Sequence, residues 1–225
     1  VTGVQTCALP ISVAALQMGQ IVEAERLAAE VLKANRNDVG AASILARALM
    51  MQNRNEEAIA PLERATRRVE DAGLETLLGA ALGGAGRRNE AIDVLRRTTA
   101  RRPPYLPAFQ ALAGQLHADG RIDEAVAVIE SAIALAPGSL EFQLLLAQLL
   151  PQRNERGRAR QILEKLRAAA PGHPDVLGAL ARVLLLDGEY AAAADLYRQV
   201  LAQRPDGVPV RVAAPAPLRS AGSVP

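Results

Sequence analysis

The chain has no tryptophan, and aromatic residues make up only 2% of its 225 positions. A core of stacked rings is excluded, and a surface that holds single-stranded nucleic acid by base stacking is disfavoured. Cysteine occurs once, at Cys7. A lone thiol can form neither an internal disulfide nor the multi-thiolate cage of a structural zinc site. The two histidines, His117 and His173, lie in different parts of the chain. No Ser, Asp or Glu accompanies either at a recognisable motif spacing, so no nucleophile with its base is marked. The expectation is a protein that is not an enzyme and has no cofactor or metal. No apolar run reaches about 18 residues, so no membrane span is expected. Lysine is nearly missing, with Lys33 and Lys165 alone. Arginine supplies the rest of the positive charge, and the formal net charge is only +2.

Half of the residues are hydrophobic, enough for a continuous core. With so few rings, Ala and Leu must fill it. Their placement is periodic. A small residue recurs as Ala24, Ala58, Ala91, Ala125, Ala159 and Ala193, at steps of 34, 33, 34, 34 and 34 residues. Gly19, Asn53, Gly86, Gly120, Asn154 and Gly188 keep the same step. Gly and Asn tolerate the left-handed conformation that ends a helix, so these positions mark turns. Pro103, Pro137, Pro171 and Pro205 also keep it, as does Leu plus a small residue at Leu45-Ala46, Leu78-Gly79, Leu112-Ala113, Leu146-Ala147 and Leu180-Ala181. In the clearest unit, 106–139, apolar spacing predicts helices over about 107–118 and 122–135, broken at Asp119-Gly120 and closed by Pro137-Gly138.

A 34-residue unit of two helices resembles the tetratricopeptide repeat. The fourth unit carries the family pattern as Phe109, Leu112-Ala113, Gly120, Ala125, Ile129, Ala132 and Pro137; the sixth as Leu177, Leu180-Ala181, Gly188, Ala193, Tyr197, Val200 and Pro205. The resemblance implies an all-α, right-handed superhelical solenoid of antiparallel helix pairs, with about six repeats. It also implies that first helices line a concave groove that holds a protein or peptide partner. By that resemblance the groove candidates are Ser43, Arg47, Met50, Met51, Thr76, Gln110, His117, Gln148 and Arg182, with Ala80, Gly114, Leu144, Gly178 and Leu185 among them. One subgroup of the family clamps a C-terminal carboxylate with Lys and Asn at such places. Those residues are absent, so that specificity is not carried over. Arg47 and Arg182 can each pair with a carboxylate, but several units separate them.

The organisation follows in order. Residues 1–12, VTGVQTCALPIS, resemble a translated sequencing-library adapter and are expected to be non-native. They would occupy the first helix of unit one, with Pro10 allowing helix only from about that point onward. Repeats are expected over 13–207. Heavy use of Ala, Arg and Gly points to a GC-rich genome, consistent with a bacterial metagenomic fragment. Unit two lacks its terminal proline (Glu70 stands there) and is a residue short, so an irregular link to unit three is expected. Pro61 lies inside a second helix. Unit three is glycine-rich at Gly79, Gly83, Gly84 and Gly86. No Lys-Ser/Thr follows and no strand precedes, so this is no phosphate loop; close helix packing is expected. Pro151 should kink and end a first helix early. Residues 208–225, rich in Pro, Ala and Ser, are expected to be disordered, truncated or frameshifted.

Three functions compete. The leading expectation is a protein-interaction scaffold with no activity of its own, placed in the cytoplasm. The alternative is the non-catalytic repeat arm of a larger enzyme, such as a glycosyl- or sulfotransferase. The third is a nucleic-acid solenoid using Arg67-Arg68, Arg87-Arg88, Arg96-Arg97, Arg101-Arg102, Arg153, Arg156, Arg158 and Arg160. Interspersed acidic residues and the small net charge weigh against it. The sequence leaves the partner and the oligomeric state open.

Overall fold

A computed structural model describes residues 3–203, with side chains from residue 9 onward. It forms a right-handed superhelical solenoid of helix pairs, with no strand among the described residues. Unit one pairs α1 (Gly3–Gln17) with α2 (Ile21–Ala34), and unit two α3 (Val39–Met51) with α4 (Asn55–Thr66). Unit three pairs α5 (Ala72–Gly84) with α6 (Arg88–Thr99), and unit four α7 (Leu106–Ala118) with α8 (Ile122–Leu135). Unit five pairs α9 (Leu140–Leu149) with α10 (Arg156–Ala169), and unit six α11 (Pro174–Leu186) with α12 (Tyr190–Gln203).

The turn within each pair is set by one residue. Gly19, Asn53, Gly86, Gly120, Asn154 and Gly188 all have positive φ, from 60° to 83°. Several first helices start on a side-chain cap: Asp38 accepts from the Ala41 N–H at 2.8 Å and Asp71 from the Leu74 N–H at 2.8 Å. Each satisfies one of the orphan donors of a helix start.

Packing follows from the small residues. Ala24, Ala58, Ala91, Ala125, Ala159 and Ala193 are fully buried, each at 0% exposure. A methyl group there lets the two helix axes of a unit approach closely. One core cluster runs from Ile92 and Leu95 of α6 to Leu196 of α12. A second runs from Ala42 of α3 to Ala91 of α6. The two meet at α6, so each unit completes its core on its neighbours rather than alone.

Unit three uses its glycines for close approach. A Cβ on Gly79 would lie 2.5 Å from Leu95 Cγ. One on Gly83 would lie 2.2 Å from Gln115 Oε1, and one on Gly84 2.6 Å from Asn55 Cγ. The three positions therefore admit, in turn, the partner helix α6, the following first helix α7 and the preceding second helix α4.

The prolines behave differently from one another. Pro61 lies buried inside α4. Pro151 ends α9 at Leu149 and turns the chain into a 3₁₀ segment, Leu150–Arg153, as expected. Pro10 departs from expectation: α1 begins at Gly3, so Pro10 sits inside the helix rather than at its start. Pro10 is exposed, and on an outward face the carbonyl freed by proline can turn to water. The link between α4 and α5, expected to be irregular, is a short turn in which the Val69 N–H bonds back to the Ala65 carbonyl at 3.2 Å. The repeat boundary at 207 and the tail 208–225 lie outside the described residues.

Candidate functional site

First helices carry the groove candidates in register. Ser43, Thr76, Gln110, Leu144 and Gly178 occupy one repeat position; Arg47, Ala80, Gly114, Gln148 and Arg182 occupy another, one helical turn further on. The structure gathers only the later part of these rows around one cavity. It has a volume of about 420 Å³ and lies across α7, α9 and α11. Gln110, Leu144, Gln148, Gly178 and Arg182 line it, together with Glu141 and Asp175. Arg182 and Gln110 are exposed and Gln148 is half-buried. Gly114 and Gly178 leave open space, since a Cβ on either would meet nothing within 4 Å.

The earlier candidates lie elsewhere. Ser43 is half-buried and Arg47 exposed on α3. Met50 packs partly into the core beside Leu49, whereas Met51 is 56% exposed. The Thr76 hydroxyl donates to the Ala72 carbonyl at 2.6 Å, so it is engaged within its own helix. His117 is exposed and its Nε2 lies 2.8 Å from Gln152 Nε2, where the Gln152 amide N–H donates to the unprotonated ring nitrogen. Gln152 belongs to the 3₁₀ turn that Pro151 initiates. The proline thus shapes a bridge from α7 to unit five that register alone does not reveal. Glu141 and Asp175 were also absent from the sequence candidates. Their positions, early in α9 and α11, are acidic first-turn positions like Glu75 in α5.

The arginines proposed for nucleic acid are mostly engaged with carboxylates. Arg87 bonds Glu90 at 2.6 Å, Arg96 bonds Glu124 at 2.6 Å, and Arg101 bonds Glu75 at 2.6 Å and Glu70 at 3.1 Å. Arg153 lies 2.9 Å from Asp123, Arg158 2.6 Å from Glu130, and Arg160 2.5 Å from Glu189. Many of these pairs join one unit to the next. A further set lies within units and follows a pattern readable in the sequence: an arginine before the second helix and a glutamate three residues on, as Arg54/Glu57, Arg87/Glu90 and Arg121/Glu124. Unit five inverts the charges, as Glu155/Arg158, and keeps the pair. Hydrogen bonding from Gln52, then Arg54, holds the Glu25 carboxyl below its ordinary range; Arg54 does the same for Glu57, and Arg87 for Glu90.

Among the described residues, no cluster of three or more His, Cys, Asp or Glu is placed to hold a metal ion. None of the described helices is long and apolar enough to cross a membrane.

Comparisons with known proteins agree with this geometry. The tetratricopeptide-repeat family is matched over residues 15–81 and 116–183, again over 76–139, and again over 176–207. No curated protein matches the chain in sequence. Among solved structures, PilW, a widely conserved type IV pilus biogenesis factor, superposes with a TM-score of 0.76 at 17% identity, over 92% of this chain and 96% of that one. Pseudomonas aeruginosa PilF gives 0.71 at 18% identity, over 91% and 93%. A thermophilic tetratricopeptide-repeat protein of Thermus thermophilus gives 0.64 at 23% identity, over 80% and 99%. At these identities the likeness is one of fold. The family models, by contrast, span most of the sequence in repeat register, and the chain belongs to the tetratricopeptide-repeat family.

Proposed function

We propose that this chain is a non-catalytic interaction scaffold that holds an extended segment of a partner protein on its concave face. The observation that carries this reading is the cavity over α7, α9 and α11. Its chemistry suits a peptide. Gln110 and Gln148 offer amide donors and acceptors to a peptide backbone, Arg182 offers a fork for a carboxylate, and Leu144 offers apolar area. The glycines at Gly114 and Gly178 leave room for the backbone to lie close. Rigid helices preform the surface, so binding avoids much ordering cost. The paired arginines speak against a nucleic-acid role, because a phosphate would have to displace a carboxylate already in place.

The test places a photo-crosslinking residue at Gly114, where the structure leaves open space, and a second at Ala127 on α8. Crosslinking to one protein from Gly114, lost when Arg182→Glu is added and absent from Ala127, is the expected result. Adducts from Ala127 alone would overturn the reading.

A further inference from the structure

We infer that the crevice between units one and two is a second docking site, built for an acidic protein segment that carries an apolar anchor. The site lies where α2, α3 and α4 meet, with a volume of about 540 Å³. Its lining is Ala29, Leu32, Lys33, Arg36, Leu45 and Arg64. Leu45 is two residues, about half a helical turn, from both Ser43 and Arg47. The crevice therefore opens on the opposite side of α3 from the concave rows.

Comparison with the next crevice shows what is unusual. The repeat brings an equivalent space between units two and three, of about 410 Å³. Position by position, Lys33 corresponds to Arg67, Leu45 to Leu78 and Arg64 to Arg97. The second crevice is neutralised: Glu63, Glu90 and Asp93 line it beside Arg67 and Arg97. Glu63 lies 3.5 Å from Arg67. In the first crevice Ala29 stands where Glu63 does, and Arg36 where Glu70 does. Three cations and no carboxylate result. Among the described residues Lys33, Arg36 and Arg64 make no ion pair, although most arginines of this solenoid do. Glu30, on the same helix, is held by Arg26 at 2.7 Å.

Charge complementarity selects an acidic occupant. The half-buried floor of Ala29, Leu32 and Leu45 selects one with an aliphatic side chain between its carboxylates. The lining has no aromatic on which a base could stack, which favours a peptide over nucleic acid. This site is independent of the concave groove and stands or falls separately.

The probe is a short fluorescein-labelled peptide alternating glutamate and leucine, read by fluorescence anisotropy on the full chain. The decisive variant is Ala29→Glu/Arg36→Glu, which installs the residues that unit two carries at the corresponding positions, Glu63 and Glu70, and so suits the fold. It is expected to weaken binding about tenfold or more, and added salt to weaken the parent's binding likewise. Arg64→Gln, at an exposed position, should lower affinity in the same direction by less. Arg182→Glu should leave it unchanged, and a glutamate–glycine peptide should bind about tenfold more weakly than the glutamate–leucine one. No binding of the glutamate–leucine peptide, or full affinity in Ala29→Glu/Arg36→Glu, would overturn the inference. So would loss of binding in Arg182→Glu alone, or capture of a single-stranded oligonucleotide by this crevice in place of the peptide.

Discussion

At Gly79 α5 approaches Leu95 of α6 too closely for a side chain, and Gly79→Ala tests that approach directly. The added methyl would lie 2.5 Å from Leu95 Cγ, 2.7 Å from Cδ2 and 3.0 Å from Cδ1. Ordinary contact begins near 3.4 Å, so the two helices must separate by roughly 1 Å or Leu95 must leave its rotamer. Leu95 is fully buried and the nearest atom is its branch point, so the side chain cannot swing into solvent. Overpacking of this kind costs about 1–3 kcal/mol. Replacing glycine inside a helix returns about 1 kcal/mol. With the clash at the upper end of its range, the net loss should be about 2 kcal/mol. Gly114→Ala is the internal control: nothing lies within 4 Å of its added methyl, so it should gain about 1 kcal/mol. Leu95→Ala alone should cost about 2–5 kcal/mol. Gly79→Ala/Leu95→Ala should cost less than the sum of the two, because the new methyl occupies part of the space Leu95 vacates. Urea unfolding followed by far-UV circular dichroism, fitted with a nearest-neighbour repeat scheme, measures all four. A Gly79→Ala protein as stable as its parent would refute the close crossing of α5 and α6.

The turn residues offer a second test. Asn53 and Asn154 hold φ of 60° and 61°, so Asn53→Ala should destabilise by about 1 kcal/mol while Asn53→Gly should not, read from thermal melts. The arginine–glutamate pairs predict an acid limb. Hydrogen bonds hold the carboxyls of Glu25, Glu57, Glu90 and Glu124 below their ordinary value. A lowered carboxylate adds stability that is complete above its unfolded value, about 4.3, and is lost as pH falls below that. The melting temperature should therefore hold steady from neutral pH to about 5 and drop below about 4. Arg54→Gln, which removes a partner of both Glu25 and Glu57, should shrink that drop; an unchanged acid limb would show that these pairs do not sense folding.

The repeat was legible because its markers act locally. A left-handed turn needs Gly or Asn whatever surrounds it, and a close helix crossing needs a small residue, so Gly120 and Ala125 declare themselves in the sequence. The helix bounds 106–118 and 122–135 followed within a residue. Pro151 was legible for the same reason. The start of α1 was not, because proline's penalty depends on which face the lost bond occupies. Site residues were legible in register but not in grouping. Ser43, Thr76 and Gln110 share a repeat position, yet only Gln110 lines the cavity. Thr76 is engaged within its own helix, and contacts between units such as Gln152 with His117, 35 residues apart, are not visible in register. The glycines of unit three were correctly read as packing, but their three separate partners required the fold.

The arginines show why composition alone misleads here. A pI near 9.0 with runs of Arg-Arg suggests a phosphate-binding surface. The helix-pair geometry instead puts Arg54, Arg87, Arg121 and their glutamates at the start of successive second helices, so the charges satisfy one another along the superhelix. Exposed pairs of this sort add little stability each, but they remove cations from circulation. A mildly basic protein built this way offers a partner fewer cations than its arginine count suggests, although among the described residues Arg47, Arg68, Arg88 and Arg97 also make no ion pair. Lys33, Arg36 and Arg64 form one place open to a partner, with Ala29 and Arg36 where unit two carries Glu63 and Glu70. Arg182 is another, lining the cavity over α7, α9 and α11. It is the placement of these cations beside an apolar lining, more than the number of arginines, that would direct an acidic partner to the two places.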